Sequence, residues 1–122
     1  MKELTKAEEQ IMQILWEIEK GFAGDIMTHF PNPKPAYNTA LTIVRILEKK
    51  GFVGYETFGK ANRYYPLISK KDYSSSILKK LAKNYFDNSF KSMVSFFASN
   101  KNISIEELEE IKKIIEEEVR KS

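Results

Sequence analysis

Cysteine is absent from the 122 residues, which excludes disulfides, thiol catalysis and thiolate metal sites. Histidine occurs once, as His29, four residues after Asp25. Two ligands of that kind would only begin a metal site and nothing else in the chain completes one, so no metal is expected. Glycine is scarce, with five in all, and none are gathered into a phosphate-cradling loop. With no thiol, one unsupported imidazole and no such loop, catalysis finds no footing, so neither an enzyme nor a cofactor is expected. No apolar run approaches the eighteen or so residues of a transmembrane helix. The first ten residues, MKELTKAEEQ, are charged where a signal peptide needs an apolar stretch, and a cytoplasmic protein is expected.

What is present fits one domain with an appended second element. The hydrophobic share of 42% supplies a core and the charged share of 30% a solvated surface. Net charge is only +3, but its distribution is uneven. Residues 33–68 hold six bases against Glu48 and Glu56, and residues 69–101 hold seven lysines against Asp72 and Asp87. Residues 1–32 and 102–122 are each net acidic, so a basic middle lies between acidic ends, as in a chain that turns one surface to a polyanion.

The most informative stretch is Pro35 to Phe52, PAYNTALTIVRILEKKGF. At helical spacing Ala40, Ile43, Val44 and Leu47 form one apolar stripe, while Asn38, Thr42, Arg45 and Lys49 fall on the other side. Pro35 suits the entry to a helix, Gly51 its C-terminal cap, and Lys49 and Lys50 the negative end of its dipole. The outer face therefore offers an amide, a hydroxyl, a guanidinium and an ammonium, the groups that reach base edges and phosphates in a major groove. An ordinary solvated helix has a polar outer face too, so the flanking segments have to decide.

Before this helix, Thr5-Lys-Ala-Glu8 reads as a capping box, followed by a stripe of Ile11, Met12, Ile14, Leu15 and Ile18, with Trp16 on the flank as a core residue. Gly21 is expected to stop that helix, Phe22 to Gly24 to lend a short edge strand, and Asp25 to Phe30 to form a brief second helix. Pro31-Asn-Pro-Lys-Pro35 is a stiff turn. After Gly51 the period becomes alternating: Phe52–Phe58 and Arg63–Leu67 read as paired strands joined by a tip, Gly59-Lys-Ala-Asn62. Three helices and a hairpin with a basic tip are the order of a winged helix-turn-helix, the expected fold of residues 1–68. Candidate base readers are Asn38, Thr39, Thr42 and Arg45; Tyr37 suits a phosphate or sugar, and Lys34, Lys49, Lys60 and Arg63 suit phosphates.

From Ser69 the chain is helical again. Ser69 caps a helix striped by Tyr73, Ile77, Leu81 and Tyr85, Ser89–Asn100 is rich in aromatics, and Ser104 caps a last helix with seven acids on one side. These faces would bury their aromatics poorly alone, and a second copy of the chain is the economical cover. Residues 69–122 are thus expected to be a dimerisation region, through Tyr85, Phe90, Met93, Val94, Phe97, Leu108, Ile111 and Ile115. The overall fold class is mainly α with a small β-hairpin, a winged helix-turn-helix followed by a helical dimerisation region.

Leu4-Thr-Lys-Ala-Glu8 with Ile14-Leu-Trp16, Ala36-Tyr-Asn-Thr-Ala-Leu-Thr42 leading to Leu47-Glu-Lys-Lys-Gly51, the segment Gly59-Lys-Ala-Asn-Arg-Tyr-Tyr-Pro66, and Phe90 to Phe97 with Ile103–Leu108 resemble the BlaI/MecI penicillinase-repressor family of bacterial winged-helix regulators. The resemblance spans nearly the whole chain, and Tyr-x-Thr-x-x-Thr is its most specific part. It implies a homodimeric repressor on a palindromic operator of double-stranded DNA, relieved in many relatives by a membrane sensor-protease that cuts the C-terminal region. Three positions depart from the pattern. Ile46 stands where Arg is common, the candidate cleavage bond reads Phe96-Phe97 instead of Asn-Phe, and the cysteine pair of copper-responsive relatives is missing. Two other classes stay open: a winged-helix protein-interaction module without DNA binding, and a ligand-sensing regulator with a pocket.

Overall fold

The computed structural model describes residues 1–100 and 102–122. The order is α1 (Lys6–Ile18), β1 (Gly21–Phe22), α2 (Ala23–Thr28), α3 (Tyr37–Lys49), β2 (Val53–Phe58), β3 (Ala61–Pro66), α4 (Lys70–Tyr85), α5 (Phe90–Ala98) and α6 (Ile105–Lys121). The fold is a winged helix followed by helices. Two compact units divide it, Met1–Ile77 and Leu78–Ser122.

In the first unit, α1 starts at the expected capping box: the Glu8 N–H donates to Thr5 Oγ1 at 3.2 Å, and the Thr5 N–H donates to Glu8 Oε1 at 2.8 Å. The helix ends earlier than Gly21. Glu19 takes φ 69 and the Lys20 N–H donates to the Ile18 carbonyl, a tight turn that a non-glycine residue enters only under strain. Gly21 is instead buried in the sheet, where it pairs with Tyr64. The second helix is α2, shifted toward the N-terminus of the expected span. The Asp25 carboxylate accepts from the Phe22 N–H at 2.9 Å, which fixes its start. The strands order as β1-β3-β2, all antiparallel. Phe58 faces Ala61, so the hairpin tip is only Gly59-Lys60 and not the expected four residues. Gly59 at φ 62 supplies the first central position of such a two-residue turn.

The core collects Ile11, Met12 and Leu15 of α1, Ile26 of α2, Val44 and Leu47 of α3, and Phe52, Val53 and Tyr64 from the sheet side. Each such side chain, fully removed from water, is worth about 1.5–3 kcal/mol of transfer free energy. Helix α3 closes with a double hydrogen bond: the Phe52 N–H donates to the Leu47 carbonyl at 2.9 Å and the Gly51 N–H to the Glu48 carbonyl at 3.0 Å. Gly51 sits at φ 82 between them, and Phe52 and Leu47 are both buried, so the turn that launches β2 is locked to the end of α3.

The start of α4 also belongs to the first unit, past the expected division at residue 68. Tyr73 is buried there, its hydroxyl donates to Glu9 Oε1 at 2.9 Å, and its ring meets Trp16 and Phe52 with centroids 5.9 and 5.8 Å away. Trp16 packs against the core, and its indole N–H donates to the Ile68 carbonyl at 2.8 Å. In the second unit Ser104 caps α6 through its hydroxyl, as the sequence suggests, and Ser89 caps α5 in the same way. Neither α5 nor α6 contains a buried residue. No described helix is long and apolar enough to cross a membrane.

Candidate nucleic-acid interface

Helix α3 presents its polar side as expected. Ala40, Val44 and Leu47 are buried, while Tyr37, Asn38, Thr39, Thr42, Arg45 and Lys49 are exposed. The core therefore grips one stripe and leaves the opposite one to solvent. Lys34, in the turn whose Asn32–Pro33 bond is cis, is exposed just ahead of the helix. The Thr42 hydroxyl is engaged by its own helix. It donates to the Asn38 carbonyl at 2.8 Å, which leaves a partner the methyl group and the acceptor lone pairs of the oxygen.

Between α3 and the wing lies a groove of about 400 Å³, lined by Tyr37, Leu41 and Arg45 of the helix and by Lys60, Asn62 and Tyr64 of the hairpin. The wing tip thus brings Lys60 to the same concavity as Arg45, two cations on elements fifteen residues apart in sequence. A concave surface flanked by fixed cations concentrates polyanions.

Arg63 is placed differently. It is half-buried, its Nη2 lies 3.5 Å from Glu56 Oε1, and its guanidinium sits 4.7 Å from the centre of the Phe58 ring. The register pairs Glu56 directly with Arg63, which is why they meet on one face. Lys50 is likewise withdrawn: its ammonium lies 2.7 Å from the Glu8 carboxylate, which is almost wholly buried. Burial pushes the Glu8 carboxyl up, but the Lys50 ammonium and the Thr5 backbone N–H outweigh it and hold the group below its ordinary value. The pair fastens the start of α1 to the end of α3.

The exposed face also carries an apolar residue. Ile46 is 40% exposed, next to Arg45 and one helical turn beyond Thr42. Its step of four from Thr42 was the available signal, and an apolar side chain there suits a thymine methyl. His29 is turned to its own helix, with Nδ1–H donating to the Asp25 carbonyl at 2.8 Å. Among the described residues no three His, Asp or Glu side chains are grouped to hold a metal.

In the second unit, Tyr85, Phe90, Val94, Phe97 and Ile115 are exposed, and Met93, Leu108 and Ile111 are half-buried. The candidate cleavage bond Phe96-Phe97 lies within α5, and the Phe96 ring packs 5.6 Å from that of Phe86.

A family model described as penicillinase repressor matches residues 4–117. The chain belongs to the penicillinase repressor family. Curated relatives agree in length. The methicillin resistance regulatory protein MecI of Staphylococcus aureus strain N315 is 27% identical over 114 residues, 93% of each chain. MecI of Mammaliicoccus sciuri is 26% identical over the same share. The penicillinase repressor of Bacillus licheniformis is 24% identical over 116 residues, 94% of this chain and 91% of that one. The match covers both the winged-helix unit and the helices after it.

Proposed function

We propose that this member of the penicillinase repressor family is a dimeric transcriptional repressor that binds double-stranded DNA at a palindromic operator. The observation that carries the reading is the shared groove: the exposed side of α3 and the basic wing tip flank one concavity, with Arg45 and Lys60 on its two walls. Asn38, Thr39, the Thr42 methyl and Arg45 read base edges, with Ile46 beside them, while Tyr37, Lys34, Lys49 and Lys60 hold phosphates. Residues 1–68 with the first turns of α4 form the reading head, and the rest of the chain pairs two copies. Support for pairing comes from α5 and α6, helices that leave Phe90, Val94, Phe97 and Ile115 about half exposed. A dimer multiplies the modest selectivity of one winged helix through its two linked half-sites.

The relatives named for methicillin resistance regulation and penicillinase repression extend antibiotic-resistance control to this chain. Relief by a membrane sensor-protease belongs to the same proposal, with one structural condition. A protease needs extended backbone, so α5 must unwind before Phe96-Phe97 is reached. Loss of the C-terminal helices would then free the DNA by mass action.

Anisotropy of a labelled operator-length duplex, titrated at two salt concentrations, tests the reading. A repressor loses affinity steeply as salt rises, by about 0.9 in log K per phosphate neutralised for each unit of log salt. Binding indifferent to salt and to Arg45→Ala would favour the protein-interaction module instead.

A further inference from the structure

Glu56 is the only acid of the wing, and it stands among cations. Its Oε1 is 3.5 Å from Arg63 Nη2 and 3.7 Å from Lys20 Nζ. Charge-assisted pairs of full strength close to about 2.7–2.9 Å, so both contacts are loose. The Arg63 guanidinium also lies 4.7 Å from the centre of the Phe58 ring, and its Nε is buried with no hydrogen-bond partner among the described residues. Its fork of donors is thus only partly used, although the guanidinium is already placed and partly desolvated. The cluster adjoins the groove: the Phe22 ring meets Phe58 at 5.9 Å, and Phe22 also lines the concavity that Arg45 and Lys60 flank.

We propose that Glu56 is an internal stand-in for a DNA phosphate, which masks Arg63 and Lys20 in the free protein and sets how tightly the wing binds. The inference rests on the DNA-binding reading above. On approach of the duplex, Arg63 exchanges a single long contact with a carboxylate for a phosphate, whose geometry matches its fork bidentately. The carboxylate is then left to solvent, which is inexpensive because the Glu56 side chain is already 44% exposed. The protein gives up part of its non-specific affinity in this way. For a regulator that must leave DNA when induced, such weakening is useful, since tight sequence-independent binding would occupy it everywhere. Lys20, at the longer distance and 55% exposed, contributes less.

The test is a four-cornered comparison of the full chain, Glu56→Gln, Arg63→Gln and the double variant. Each is titrated by anisotropy onto a labelled mixed-sequence duplex at several salt concentrations, with circular dichroism to confirm the fold. Glu56→Gln is expected to bind more tightly and to steepen the salt slope by up to about 0.9, equivalent to roughly eightfold at ~0.1 M salt for one further phosphate. In the Arg63→Gln background the same change should gain little, because the cation it unmasks is gone. A Glu56→Gln slope equal to that of the unaltered chain overturns the proposal, as does a gain that survives intact without Arg63. Either result leaves the DNA-binding reading standing. An unaltered chain whose duplex binding ignores salt would sink that reading itself.

Discussion

Replacing Glu8 with Ala tests how much of the reading head depends on a single buried carboxylate. Two losses follow from the geometry. The Thr5 N–H gives up its acceptor at 2.8 Å, and removal of a helix cap of this kind costs about 1 kcal/mol. Lys50 gives up its partner at 2.7 Å, where hydrogen bonds to charged groups are worth about 1.5–3 kcal/mol. The Lys50 side chain is 23% exposed and can turn to water, which favours the lower half of that range. The sum is roughly 3 kcal/mol, at the edge of the 3–5 kcal/mol seen when one member of a buried pair is removed. For a cooperative unit the size of Met1–Ile77, at about 4–8 °C per kcal/mol, melting should fall by more than about 10 °C. Helix-band circular dichroism followed together with the fluorescence of Trp16 reports this unit. The double change Glu8→Gln with Lys50→Met should recover most of the loss, because Gln keeps an acceptor for Thr5 and no charge is left unpaired. Proton linkage supplies a further check. Since the Glu8 carboxyl is held below its ordinary 4.5, its contribution is complete above that value and is lost as pH falls below it. Glu8→Gln should therefore flatten the acid limb of the melting curve. A fall of less than about 4 °C in Glu8→Ala would show that desolvation cancels the pairing, and the argument would fail.

Arg45→Ala should weaken binding to the correct operator by about 1–3 kcal/mol, while mixed-sequence DNA loses less; an equal small loss on both would make Arg45 a phosphate contact. Glu19→Gly relieves a residue at φ 69 and should stabilise the protein by about 1 kcal/mol; an unchanged or lower melting point would show that the turn carries no strain. Burial, with the Glu9 carboxylate as hydrogen-bond partner, pushes the Tyr73 phenol from 10.0 up to about 12, so its contribution holds below pH 10 and is lost as pH rises through 12. Melting of the unaltered chain should drop across that interval, and that of Tyr73→Phe should drop less. Phe97→Asp places a charge on the exposed face of α5 and should shift sedimentation toward monomer; an unaltered dimer would place the interface elsewhere.

The winged-helix order was legible because its signals are local. The Thr5/Glu8 capping box, the stripe of Ala40, Val44 and Leu47, and Gly51 at φ 82 each act within one turn of chain, and each does in the structure what its neighbours dictate. The errors fall where local and distant demands compete. Gly21 looked like a helix stop, but the stop is Glu19, and Gly21 is consumed by pairing with Tyr64 of β3. The hairpin tip looked four residues long because polar Asn62 resembles a turn residue, yet the ladder runs on to Phe58 and Ala61. Helical spacing puts Tyr73 in one continuous stripe with Ile77, Leu81 and Tyr85. It is buried against Trp16 and Phe52 while those three are exposed, a distinction that helical spacing alone does not encode.

The same limit applies to charge, and there it bears on function. Counting along residues 33–68 yields six bases, all equal on paper. Folding makes them unequal. Lys50 is spent on Glu8, across forty-two positions of sequence, and its task is to hold the end of α3. Arg63 is lent to Glu56 by the strand register. Lys34, Arg45, Lys49 and Lys60 remain exposed, and they are the ones distributed over the entry to α3, its outer face and the wing tip. The basic surface is therefore smaller than composition suggests but better ordered. A polyanion meeting it encounters cations at the places where a rigid helix and a hairpin present them together, with Arg63 held in reserve behind an acid.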